Sequence, residues 1–161
     1  MAIFSISFEF GATTQVSTEE ANEFVQNFLS QTQEIDGFGI FLNNISAALP
    51  MFVPGAGVAL GIYSGWSTGF GFAAFAIMAP GLAEIEPLTI LFYSPYGVME
   101  VIAYSIAMSR SFLVVFYLVK KVNPKSLIKP SLIEIAAAVG LLLAAGFVEE
   151  FVIQLSQGSV L

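Results

Sequence analysis

The chain contains no cysteine and no histidine. Without cysteine it forms no disulfide and offers no thiolate as a nucleophile or as a zinc or iron–sulfur ligand. Without histidine it lacks the commonest general base and the commonest transition-metal ligand. Together these absences point to a non-enzymatic protein with no metal and no cofactor of its own. Charge is scarce as well. Only 11% of the 161 residues are charged, against about 25% in a soluble domain. Basic residues are rarest, five Lys and Arg against 12 Asp and Glu for a net charge of −7. That balance excludes nucleic acid as a partner, because binding it needs a basic surface. The longest gap is residues 37–83, which carry no charged side chain at all.

What is present is apolar. Hydrophobic residues make up 57% of the chain, with 16 Phe among them, and the mean hydropathy is +0.84. A bilayer core is about 30 Å thick and one helical crossing takes about 20 apolar residues. The charge-free run therefore holds two crossings, and the lipid bilayer is the expected surroundings. The fold class expected is all-α, a polytopic transmembrane bundle of about four membrane-embedded helices, near 37–61, 66–80, 96–119 and 131–154. The turn between the first two falls at Tyr63-Ser64-Gly65-Trp66, and Pro50 and Pro54 kink the first crossing. Residues 87–119 are too long for one straight crossing, roughly 50 Å as a helix. Pro95, Tyr96 and Gly97 mark the break, because Pro removes a donor and Gly permits a bend. Residues 88–93 then form a half-helix or a re-entrant piece.

All five basic residues lie between Arg110 and Lys129. Lys120, Lys121, Lys125 and Lys129 fill one short loop, broken at Asn123-Pro124 and Lys129-Pro130. Short loops rich in lysine stay cytoplasmic. This orients the chain in a plasma membrane with the 120–129 loop inside. The C-terminus, the 81–87 loop with Glu84 and Glu86, and the acidic N-terminal segment lie outside. The expected organisation is an outer segment 1–36, a transmembrane domain 37–155 and a short tail 156–161. Residues 1–8 are too short and lack the basic start of a signal peptide. They read as an interfacial strip, a partial crossing or the remnant of a first helix.

Ser17-Thr18-Glu19-Glu20 matches a capping box, with Ser17 as N-cap and Glu20 reaching back. Ala21, Phe24, Val25, Phe28 and Leu29 then follow one helical face. The opposite face carries Glu19, Glu23, Asn27, Gln31 and Gln33. The Phe face lies on the bilayer or on the protein's own helices, or it docks an outside partner. An acidic polar face favours protein over anionic lipid. Gly57, Gly61, Gly65 and Gly69 recur every four residues, a spacing that lets another backbone approach a helix closely. The groove serves packing within the chain, dimerisation, or a passage lined by backbone.

Ionisable residues inside a crossing are costly and are functional candidates. Glu100 lies roughly 30 Å above the inner boundary and Glu149 at roughly 27 Å, with Asn43 and Asn44 roughly 10 Å below the outer start of their helix. These residues and Glu150 share one layer. Three readings stand: contacts with headgroups and water at the interface, a hydrogen-bonded cluster between helices, or a proton or ion site. Arg110 either snorkels inward or pairs with Glu134 of the neighbouring helix.

Four stretches in order carry a family resemblance. They are Phe41-Leu42-Asn43-Asn44 with Phe52 and Gly55, Ser64-Gly65-Trp66-Ser67-Thr68-Gly69, Pro95-Tyr96-Gly97-Val98-Met99-Glu100, and Ala145-Gly146-Phe147-Val148-Glu149. Over about residues 37–151 the chain resembles the stage II sporulation protein M family of multi-pass membrane proteins in bacteria and archaea. It departs at Tyr96, where the family has His, at Ser64 in place of Asn, and at Ile102, where Pro is frequent. The family's usual first crossing is absent or reduced to residues 1–10. The resemblance implies a membrane scaffold or channel-like protein and no enzymatic chemistry. The leading expectation is a scaffold or accessory subunit of a membrane complex, with other membrane proteins or further copies of the chain as partners. The alternative is an oligomeric channel or transporter-like protein that uses the intramembrane Glu and Asn residues.

Overall fold

The computed structural model describes residues 1–32 and 36–158. Gln33 and Glu34, assigned above to the acidic segment, and the last three residues of the tail lie outside that set. The described residues are helical, with no strand among them. In chain order the helices are α1 (Ala2–Ala12), α2 (Thr18–Thr32), α3 (Gly37–Ala48), α4 (Gly57–Met78), α5 (Pro80–Ala83), α6 (Pro87–Tyr93), α7 (Pro95–Val119) and α8 (Lys125–Gly158). A 3-10 turn over Leu49–Phe52 extends α3.

Antiparallel α7 and α8 form the backbone of the bundle, and they alone among the described helices are long and apolar enough to cross a membrane. Their apolar surface faces outward. Only 39% of the apolar window of α7 and 22% of that of α8 is buried. The core helix of a water-soluble protein is mostly buried, so the outward Phe112, Phe116, Leu132, Ile133 and Phe151 form an apolar belt of the kind that meets lipid or protein. Membrane association is the consequence.

The expected count of about four crossings is corrected to these two. The first expected crossing, 37–61, is not one helix. α3 has 12 residues, about 18 Å at 1.5 Å per residue, well short of a hydrocarbon core. It tightens into the 3-10 turn where Pro50 lacks a donor, and the chain reverses through Pro54 and Gly55. Gly55 has φ of 85°, a left-handed value that glycine adopts at no steric cost. Ser111 of α7, fully buried, serves this reversal. Its hydroxyl donates to the Val53 carbonyl at 2.6 Å and accepts from the Gly57 N–H at 3.1 Å. Buried irregular backbone is tolerated only where the protein supplies its hydrogen-bond partners.

The turn expected at Tyr63-Ser64-Gly65-Trp66 does not exist. α4 runs unbroken through it for 22 residues, because the reversal has already occurred at 53–56. Its centre, Ser64 through Gly69, is rich in Ser, Thr and Gly, and α4 is not among the helices apolar enough to span a membrane. The expected boundaries around the lysines also shift. Lys125 and Lys129 belong to the first turns of α8, and Pro130 lies inside that helix. The break is confined to 120–124, where Lys121 takes a left-handed φ of 58° and the Asn123 side chain accepts from the Lys125 N–H at 3.0 Å.

The four glycines of α4 lie on one helix and serve two neighbours. A β-carbon on Gly57 would strike the Met51 carbonyl oxygen, and one on Gly61 would strike the Met108 sulfur of α7. One on Gly65 would meet the Phe4 carbonyl oxygen at 2.8 Å, and one on Gly69 would strike that of Phe8. The upper half of the groove is thus filled by α1, running in the same direction as α4. Gly11 of α1 returns the fit, since a β-carbon there would strike the Trp66 carbonyl oxygen. Ser7 of α1 donates to the Ile62 carbonyl at 2.5 Å. Phe4 and Phe8 turn inward, 1% and 3% exposed, with the Phe4 ring 5.3 Å from that of Tyr104. Residues 1–10 are therefore a packed helix. The division expected at residue 36 does not separate the packing, because α1 and α2 both rest on α4.

α2 forms as its capping box dictates. Ser17 Oγ accepts from the Glu20 N–H at 3.2 Å, and Glu20 Oε2 accepts from the Ser17 N–H at 2.9 Å. Its apolar face lies on α4. Ala21 and Val25 are buried, and the Phe24 and Phe28 rings meet Phe70 and Phe75 edge-on at 5.5 and 5.4 Å. Hydrogen bonds from the Ser17 backbone N–H, then from its hydroxyl, hold the Glu20 carboxyl below the usual carboxylate range. A lowered carboxyl pKa contributes stability that is complete at neutral pH and is lost as the pH falls through that lowered value. Amide exchange of the first turn of α2 is therefore expected to be faster in Glu20→Gln than in wild type at pH 7. The two should converge at acid pH, where wild-type Glu20 is itself protonated. A difference that persisted in acid would show that the box acts otherwise.

Candidate functional site

The polar positions of the sequence meet at the end of the bundle away from the lysines. α7 starts afresh after α6 at the expected break. Ser94 caps it, accepting from the Gly97 N–H at 3.2 Å and donating to the Ile90 carbonyl at 3.1 Å. Gly97 is needed there, because a β-carbon would lie 2.5 Å from Ser94 Oγ and 2.6 Å from the Leu91 carbonyl oxygen. Pro95 pre-sets the first turn of the new helix. The break turns the first face of α7 inward, so that Tyr96, Glu100 and Tyr104, at intervals of four, line one wall of a chamber of about 610 Å³.

The other walls come from six helices. α3 supplies Asn43 and Asn44, α4 supplies Ser67, Thr68 and Phe72, and α8 supplies Glu149. Phe4 of α1 and Leu91 of α6 close the apolar side, and Phe24 and Phe28 of α2 lie over it beside Phe75 of α4. Asn44 Nδ2 donates to Glu100 Oε1 at 2.6 Å. This single bond ties the short α3 to the broken α7 across the chamber. Amide donation satisfies one oxygen of Glu100 and leaves its other oxygen for the chamber. No side chain among the described residues donates to Glu149. Asn43 is exposed on the chamber side, with its carbonyl taken by the Ser46 hydroxyl at 2.6 Å.

Glu150 leaves the expected cluster. It points to the start of α3, where Oε2 accepts from the Gly37 N–H at 3.0 Å and Oε1 accepts from Gln154 Nε2 at 3.1 Å. Adjacent residues on a helix face about 100° apart, so Glu149 and Glu150 cannot both enter one chamber. Glu150 instead joins Asp36, which accepts from the Gly39 N–H at 2.8 Å, in satisfying the free donors at the start of α3. Gly146 one turn earlier lets α3 come close, since a β-carbon there would strike the Gly37 carbonyl oxygen.

Arg110 and Glu134 lie at the other end. They form a two-pronged ion pair between α7 and α8, with Arg110 Nε donating to Glu134 Oε2 at 2.6 Å and Nη2 to Oε1. Pairing, not snorkelling, is what the structure shows. Sequence reasoning did not assign Ser67, Thr68, Tyr104 or the Phe residues to the site. The available signal was helical spacing: Ser67, Gly71 and Phe75 share a face of α4, as Tyr96, Glu100 and Tyr104 share one of α7.

The chamber holds two carboxylates, two amides and several hydroxyls, and no basic side chain lines it. It has the size and mixed lining of a small-molecule site. Among the described residues no group of three acidic, histidine or cysteine side chains is placed to hold a metal ion. Compared with known proteins, the chain matches no family model, no curated protein and no solved structure.

Proposed function

We propose that this is a non-enzymatic multi-pass protein of the plasma membrane that binds a small solute in its chamber, in the manner of a channel or transporter subunit. The observation that carries this reading is the convergence of Glu100, Glu149 and Asn44 on one cavity without a cationic side chain. Carboxylates at membrane depth need a proton, a cation or water to be tolerated. Broken helices that present such groups to a cavity are a recurring device of transporters. In the orientation set by Lys120 to Lys129, the chamber lies in the outer half of the membrane and the C-terminus outside. With only two full-length crossings per chain, a continuous pathway calls for several copies.

Support for kinship with the stage II sporulation protein M family comes from the same place. Asn44, Ser67, Glu100 and Glu149 belong to four separate stretches that carry the resemblance, and all four line the chamber. The test is flux of protons and small cations into proteoliposomes. Glu100→Gln is expected to lower the flux at least tenfold, and equal flux would remove the reading.

A second reading, a scaffold or accessory subunit of a membrane complex, is favoured by α2. Its Phe face is used on α4, which leaves exposed Glu19, Glu23 and Asn27 for a partner outside. Native mass of the gently extracted protein separates the two. Stoichiometric foreign subunits would favour the scaffold, and a lone homo-oligomer would favour the solute site.

A further inference from the structure

We infer that the solute taken by this chamber is a small organic ammonium ion, held between carboxylates and aromatic rings. The inference rests on the solute-binding reading above and names its chemical class.

Charge excludes most alternatives. All five basic residues lie at 110–129, and none lines the chamber. An anion would therefore face Glu100 and Glu149 with nothing to oppose them. A divalent metal would need a third strong ligand, and no such group exists among the described residues. A bare monovalent ion leaves most of about 610 Å³ unfilled. An ammonium carrying a few carbons uses both the charge and the volume.

The lining fits that class in detail. Phe24, Phe28, Phe72 and Phe75 put ring surface around the space, and Tyr96 adds a fifth ring on the α7 side. Ring faces attract alkylated ammonium, which sheds water more readily than a metal ion does. A purely apolar ligand would gain from the rings but would strand two carboxylates. Tyr104, only 5% exposed, borders the same chamber as Glu100 and Glu149, so a cation that enters meets carboxylates, a hydroxyl and ring faces together.

The test is isothermal titration calorimetry on the full chain in nanodiscs. The probes are methylammonium, tetramethylammonium, sodium and potassium chloride, each at constant ionic strength. Saturable binding of an ammonium probe is expected, with sodium and potassium weaker. Glu100→Gln is expected to weaken it at least tenfold, and Phe75→Leu roughly tenfold through the lost ring face. Tyr104→Phe, which keeps the ring packed on Phe4, is expected to weaken methylammonium more than tetramethylammonium, because only the former donates a hydrogen bond. Gel filtration and helical circular dichroism establish that each variant is folded. Glu100-dependent binding of sodium or potassium without ammonium binding would overturn the inference and leave the solute-binding reading standing. Binding of no probe, together with Glu100-independent flux, would overturn both. Ammonium binding unchanged in folded Glu100→Gln would also overturn the inference.

Discussion

Alanine at Gly69 is expected to drive α1 off α4 and to lower the thermal stability of the protein in detergent or lipid. The added β-carbon would strike the Phe8 carbonyl oxygen and lie 2.7 Å from the Ala12 amide nitrogen. Both obstacles are backbone, so no side chain can swing aside and a whole helix must move. Overpacked cores lose about 1–3 kcal/mol, and a contact between two backbones belongs at the upper end. Between helices in a membrane the loss is felt directly, because association there depends on close van der Waals packing and not on exclusion of water. Displacing α1 also withdraws Phe4 from Tyr104 and opens one wall of the chamber, so solute binding should fall with stability. Gly140→Ala is the control. No atom lies within 4 Å of a β-carbon at Gly140, and alanine is the better helix former by about 1 kcal/mol. That variant is expected to be as stable as wild type or more so. Equal melting of Gly69→Ala and wild type would mean that α1 does not occupy the groove.

Removing Glu134 is expected to do more damage than removing its partner. The side chain of Arg110 is 8% exposed and that of Glu134 is 34% exposed. Glu134→Ala strands a buried guanidinium whose Nε and Nη2 donors lose their partner. Arg110→Met leaves unpaired the more exposed of the two partners. Breaking a buried ion pair from one side costs about 3–5 kcal/mol. The partial exposure of Glu134 places this case toward the lower figure, since surroundings that reach one partner weaken the pair. The double variant Arg110→Met, Glu134→Leu is expected to recover most of the loss, because neither charge is then stranded. Thermal unfolding of the three variants in one detergent measures this order. A double variant no better than Glu134→Ala would show that the pair is needed for more than mutual neutralisation.

The two predictions test different contacts, the α1–α4 groove and the α7–α8 ion pair, and the second reflects how charge is arranged along the bundle. Every basic side chain is at one end. One of them, Arg110, neutralises Glu134 in place. The carboxylates at the other end have no such partner among the described residues, and the proposed cation site rests on that asymmetry.

Much of this was legible along the chain because it depends on near neighbours. The capping box at Ser17 and Glu20 specifies where α2 starts. The spacing of Phe24 and Phe28 specifies which face it buries. Pro95 and Gly97 break the helix at the one place where Ser94 can cap the next. Their length and apolar composition make α7 and α8 the helices able to cross a membrane among those described. Pairing of Arg110 with Glu134 was one of two readings open to the sequence, because two antiparallel helices joined by a short turn bring them level; the structure selects it over snorkelling.

Tertiary structure alone decided the rest. The glycines of α4 permit close approach, but only the fold shows that α1 takes the upper pair while Met51 and Met108 take the lower. Pro50 and Pro54 were readable as a kink. Reversing the chain there required Ser111, 54 residues away from Gly57 in sequence, to satisfy the exposed backbone groups. Glu149 and Glu150 are neighbours of one type, and only the position of α3 separates a chamber residue from a helix cap. Local signals act through bonds and turns within a few residues. The chamber exists because seven helices pack at particular angles and depths, and those follow from small residues meeting backbone far apart in the chain.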